Sequence, residues 1–88
     1  MGVKNALWSR LKQAGQLLFR RSPVGVVLET PEHGSHSAHR PTKLGTALLI
    51  GEPHELLLFA FGRQNVAHVE IEGDAAAVEG LRGASLGL

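Results

Sequence analysis

Between Pro53 and Gly62 the chain reads Pro-His-Glu-Leu-Leu-Leu-Phe-Ala-Phe-Gly, and no other block limits the possible folds as much. Proline suits the first position of a helix, where its missing N–H would have no intrahelical partner anyway. Glu55 adds a carboxylate to the first turn, and Gly62 stands where a C-terminal glycine belongs. Leu56, Leu57, Leu58, Phe59 and Phe61 leave such a helix no polar face, so it must be buried on most sides. It is far shorter than the roughly 20 apolar residues that span a bilayer. The expectation is a short helix covering a sheet.

Candidate strands lie on both sides of it. Residues 24–30 are apolar and rich in β-branched side chains, and residues 44–50 form a second apolar run closed by Gly51. Between them, Pro31, Glu32, His33 and Gly34 supply turn chemistry. Residues 35–40 are polar and read either as a weak returning strand or as loop. Residues 66–72 alternate, with Ala67, Val69 and Ile71 on one side and His68, Glu70 and Glu72 on the other, as in a strand with one wet face. Gly73 turns the chain, and Asp74 is a suitable N-cap for a last helix that buries Val78 and Leu81 and ends at Gly83. Residues 84–88 read as an edge strand or a frayed tail.

The first 22 residues read as an amphipathic helix. Leu7, Leu11, Ala14 and Leu18 recur at helical spacing with Trp8 and Phe19 beside them, while Arg10, Lys12, Gln13, Gln16 and Arg20 fall on the other side. Ser22-Pro23 stops the helix after residue 21, because a residue before proline is pushed out of the helical region. Gly15 weakens it by about 1 kcal/mol relative to alanine. The expected division is this helix over residues 1–22 and a small α+β domain over 23–88, folding together as one unit. The predicted class is α+β, an antiparallel or mixed sheet of three to five strands with helices on one face.

Size supports a single core. A chain of 88 residues and 9.4 kDa is expected to fold to about 5,000 Å² of accessible surface, burying about 63% of what the unfolded chain exposes. With no cysteine, disulfides, thiolate metal sites and a cysteine nucleophile are excluded. A core this small, with Trp8 read as exposed, makes self-association an expectation. Residues 1–21 carry five basic groups and no acid, while the other 67 carry four basic and eight acidic groups. Five charges spread over 21 residues make too thin a footprint for nucleic acid. With no membrane span and no secretory leader pattern, a cytoplasmic protein is expected.

Few residues suggest chemistry. His33, His36 and His39 form H-x-x-H-x-x-H, a weak alternative metal site, since that spacing converges on one ion only in a suitable turn and Glu32 is the nearest carboxylate. An exposed polar hairpin tip is the plainer reading. His54 in the first turn of the apolar helix, and His68 beside Glu70 and Glu72 on a wet strand face, read as surface groups. No serine–histidine–aspartate arrangement, phosphate-cradling glycine loop or H-E-x-x-H motif is present. Arg63 follows Gly62 at the end of the apolar helix. Its guanidinium can fork onto a carboxylate of a ligand or neighbouring domain, or satisfy helix-end carbonyls. Leu56, Leu57, Phe59 and Phe61 are the candidates to line an apolar ligand pocket.

The run from Gly51 to Arg63, followed by Ala-His-Val-Glu-Ile-Glu-Gly-Asp at 67–74, resembles the C-terminal domain of the mycothiol-dependent maleylpyruvate isomerase and DinB-like metal-binding proteins of actinobacteria. Residues 21–29 and 81–88 are similar to that subgroup as well, so the resemblance spans about residues 5–88. It implies a sterol-carrier-protein-like α+β fold. In the family a four-helix bundle precedes this domain and carries the metal, whereas here one helix precedes Pro23, so the family's metal ligands have no counterparts in this sequence. The resemblance therefore implies no cofactor on this chain, with mycothiol and a divalent metal belonging to a partner bundle. Arg63 is the position matched to an arginine that the family's C-terminal domain contributes to the active site. The expected function is a non-catalytic accessory domain, truncated or split from its bundle, that docks on a DinB-type four-helix-bundle protein. The alternative is a free-standing carrier of a small apolar ligand.

Overall fold

The computed structural model describes residues 3–64 and 66–83. The elements run α1 (Val3–Leu18), β1 (Gly25–Thr30), β2 (Gly34–His39), β3 (Thr46–Ile50), α2 (Pro53–Ala60), β4 (Glu70–Gly73) and α3 (Ala75–Arg82). They form an α+β fold around one four-stranded mixed sheet in the order β2-β1-β3-β4. β1 pairs antiparallel with β2 and parallel with β3, and β3 pairs antiparallel with β4. No helix among the described residues is long and apolar enough to cross a membrane.

The polar segment after the first turn is strand β2. Its serines and histidines have little strand propensity of their own, but an apolar neighbour in β1 offers a ladder, and pairing context outweighs propensity in sheets. The register steps between Val26↔His39 and Val27↔Ser37, leaving Ala38 as the extra residue of a bulge. Ala38 is buried in the core. β4 is shorter than the alternation of residues 66–72 predicts. β3 ends at Ile50 to make way for α2, so residues 66–69 have no strand to pair with. Ala67, Val69 and Ile71 still pack against the core.

The connection from β2 to β3 passes over the start of β1, and Gly25 makes that possible. A Cβ on Gly25 would stand 2.7 Å from both the Cα of Pro41 and the hydroxyl of Thr46. The loop is pinned there by the Thr42 hydroxyl donating to the Pro23 carbonyl at 2.7 Å and by the Gly25 N–H donating to the Gly45 carbonyl at 2.9 Å. β3 can then lie parallel to β1 on its far side.

The core occupies one face of the sheet. Val26, Leu28, Ala47 and Leu49 from the central strands meet Leu11, Leu18 and Phe19 of the α1 region, Leu56, Phe59 and Ala60 of α2, and Ala77 and Leu81 of α3. Trp8, expected to be exposed, is only 5% accessible. Its ring stacks on His33 with centroids 5.9 Å apart, because the β1–β2 turn folds back toward the start of α1. The argument for self-association from an exposed tryptophan therefore falls. α2 also departs from expectation, since it packs chiefly against α1 rather than flat on the sheet. Leu57 and Leu58 are half-buried and Phe61 is 51% exposed. The helix stops as its glycine predicts: Gly62 has φ +89°, its N–H donates to the Phe59 carbonyl, and the Arg63 N–H donates to the Leu58 carbonyl, both at 3.0 Å. This is the paired arrangement of a Schellman cap.

Candidate functional site

The candidate site is the other face of the sheet. β1 and β3 are apolar on both sides of the strand, which in a sheet normally means that both faces are covered. Here all three helices contribute to a single core on one face. The residues of the opposite face fall into two cross-strand rows. One runs Ser37, Val27, Leu48, Glu72, and the other Ser35, Glu29, Ile50, Glu70. Val27, Leu48 and Ile50 are half-buried, whereas Leu28 and Leu49, their neighbours in sequence, are fully buried on the core side.

The chemistry of this face is apolar at the centre and acidic at the margins. Glu29, Glu70 and Glu72 stand in the two rows with no basic residue among them. Side chains two apart along one strand lie about 7 Å apart on the same face, so Glu70 and Glu72 repel one another and favour a cationic neighbour. The face deepens at one end into an open depression of about 530 Å³ bounded by Pro31, Ile50, Gly51, Glu52, His68 and Glu70.

Beside that depression lies a carboxylate with two partners, Glu55. Glu55, in the first turn of α2, accepts the His68 backbone N–H at 2.8 Å and faces the His54 imidazole at 2.9 Å. The backbone hydrogen bond is the main cause that holds the Glu55 carboxyl below its ordinary value near 4.5. Partial desolvation opposes it, and the neighbouring imidazoles add to the lowering. Glu55 thereby ties the 66–69 loop to α2 and fixes the wall of the depression. The sequence showed Glu55 only as a first-turn carboxylate, because its partner is a backbone group 13 residues away.

The other candidate residues are spread over the molecule. Arg63 is exposed beyond the end of α2, and the helix-end carbonyl at Leu58 is satisfied by its backbone N–H. Leu56 and Phe59 belong to the packed core, while Leu57 and Phe61 line an open groove of about 390 Å³ with Arg10, Gln13 and Ala14 of α1. The three histidines of the H-x-x-H-x-x-H motif have separate environments. His33 lies under Trp8, His36 pairs across from Leu28 on the core side, and the His39 Nδ1 lies 2.9 Å from the Arg40 carbonyl. The Nε2 atoms of His33 and His36 are buried without a hydrogen-bond partner among the described residues, as is the hydroxyl of Thr30. Among the described residues no group of three or more His, Cys, Asp or Glu is placed to hold a metal ion.

Fold and surface together define a small two-layer α+β domain in which, among the described residues, the three helices pack on one sheet face. No protein-family model matches this chain, and no curated protein or solved structure is significantly similar to it.

Proposed function

We propose that this chain is a non-catalytic docking domain whose open sheet face receives a helix of a partner protein. The observation that carries the reading is the unequal treatment of the two sheet faces: Val27, Leu48 and Ile50 are as apolar as the core positions beside them, yet none of the helices lies over them. A partner helix with an apolar stripe would cover that patch, and flanking lysines or arginines would pair with Glu29, Glu70 and Glu72. The sequence resemblance points to a DinB-type four-helix-bundle protein as that partner, with the metal and mycothiol on its side and a cytoplasmic setting.

The test is co-elution of the purified chain with a DinB-type bundle protein from the same genome, with light scattering to give the mass of the complex. A one-to-one complex that is lost in Leu48→Lys, while the variant still unfolds cooperatively within about 10 °C of the parent chain, is the expected result. Failure of the parent chain to bind, or unchanged binding by Leu48→Lys, refutes the proposal. The alternative of an apolar-ligand carrier draws on the α1–α2 groove at Leu57 and Phe61. It predicts that a fatty-acyl probe raises the melting temperature and that Phe61→Ser abolishes the effect.

A further inference from the structure

A second concavity lies where the C-terminal half of α1 meets the edge strand β2. It is an open groove of about 520 Å³ lined by Gln16, Arg20, Ser37, Ala38, His39 and Arg40. Two small residues shape it. A Cβ on Gly15 would stand 3.4 Å from that of Ala38, so helix and bulged strand approach closely at the floor while longer side chains line the groove from either side.

The polar groups of this groove share one character. Two arginines and a histidine line it and no carboxylate does. The His39 Nδ1 faces the Arg40 carbonyl at 2.9 Å, and a carbonyl only accepts, so Nδ1 carries the proton and ties the ring to the backbone, leaving the arginines as the groups that meet an anion. The Gln16 amide adds a neutral donor. The C-terminal end of a helix is the negative end of its dipole, so the positive field has to come from Arg20 and Arg40.

We propose that this groove binds a small organic phosphate. Guanidinium groups fork onto phosphate oxygens, which makes arginine the preferred residue for such ligands. The groove is within the range of about 300–1,000 Å³ typical of small-molecule sites, more than a bare phosphate fills, so the ligand is an ester whose organic part lies along the groove beside Gln16. Among the lining residues Ser37 alone also stands in a row of the open sheet face, and both arginines lie outside those rows, so the site stands whether or not that face docks a partner.

The experiment is an NMR titration of the full chain at low salt with adenosine 5′-monophosphate, inorganic phosphate, citrate and adenosine. The nucleotide is expected to give saturable shifts centred on the amides of Gln16, Arg20 and residues 37–40, with a Kd of about 1 mM or tighter. Inorganic phosphate is expected to move the same amides more weakly, and adenosine to leave them in place. The double variant Arg20→Gln/Arg40→Gln is expected to weaken nucleotide binding roughly tenfold or more, with its melting temperature unchanged because both arginines are exposed. Three results each overturn the proposal: no saturable shifts in the groove, equal affinity in the double variant, or citrate or inorganic phosphate binding as tightly as the nucleotide.

Discussion

Leu48 and Leu49 are neighbours in β3 with identical side chains, and substituting each by alanine measures how differently the two sheet faces are covered. Leu49 is fully buried between the central strands and the helices. Removing its isobutyl end loses the transfer free energy and leaves a cavity that the packed surroundings cannot fill, about 3 kcal/mol within a usual range of 2–5. Leu48 is half-buried on the other face, beside Val27 and Glu72 across the strands. Water can enter the space it leaves, so only part of the transfer term is lost, about 1 kcal/mol. For a chain of this size total stability is about 4–13 kcal/mol, and each kcal/mol moves the melting temperature by about 4–8 °C. Leu49→Ala should therefore melt about 12–24 °C below the parent chain and Leu48→Ala about 4–8 °C below. Urea unfolding with an unchanged m-value checks that both variants remain two-state. Equal costs for the two substitutions would show that the second face is covered in the free chain, and the reasoning behind the docking proposal would fail with it.

Two further outcomes follow from particular contacts. Glu55 has a lowered carboxyl value in the folded chain, so its contribution to stability is present above the unfolded value near 4.5 and is lost as pH falls through the folded value. Glu55→Gln keeps an oxygen to accept the His68 N–H but loses the charge, so it should be less stable than the parent at pH 7, with the difference closing as pH falls below about 4.5 and the acid limb flattened accordingly. An acid limb identical to the parent's would rule this out. Trp8 is the single tryptophan and is nearly fully buried, so its emission should be blue-shifted and protected from iodide until the chain unfolds. Emission quenched by iodide in the folded chain would place Trp8 at the surface instead.

Local signals account for most of the elements. The Leu11–Leu18 stripe, the apolar runs of β1 and β3 and the Pro53–Gly62 punctuation of α2 all act within a few residues, which is why they could be read directly, whereas α1 ends at Leu18, three residues before the end predicted from Ser22-Pro23, because residues 19–21 turn toward β1. β2 was ambiguous because its side chains favour a loop and only its ladder with β1 makes it a strand. The predicted strand over 66–72 was too long because its length depends on where β3 ends. Trp8 was misplaced because the stripe of α1 shows which side is apolar but not that the β1–β2 turn folds over it. The candidate site was half legible. Glu70 and Glu72 were read as one wet face, but their row partners Val27, Leu48, Ile50 and Glu29 come from other strands.

The sequence by itself determined the α+β class, the three helices and the glycine stop of α2, and the absence of any cysteine-based chemistry, since these depend on periodicity, proline and glycine geometry, and composition. The tertiary structure decided the strand order and the parallel pairing of β1 with β3, which depend on the 40–45 loop passing over a glycine. It also decided which face of each strand is covered. β1 and β3 carry apolar residues on both faces, so alternation within one strand cannot choose between them. Only the packing of α1, α2 and α3 on the same side makes Leu28 and Leu49 the core and leaves Val27, Leu48 and Ile50 open.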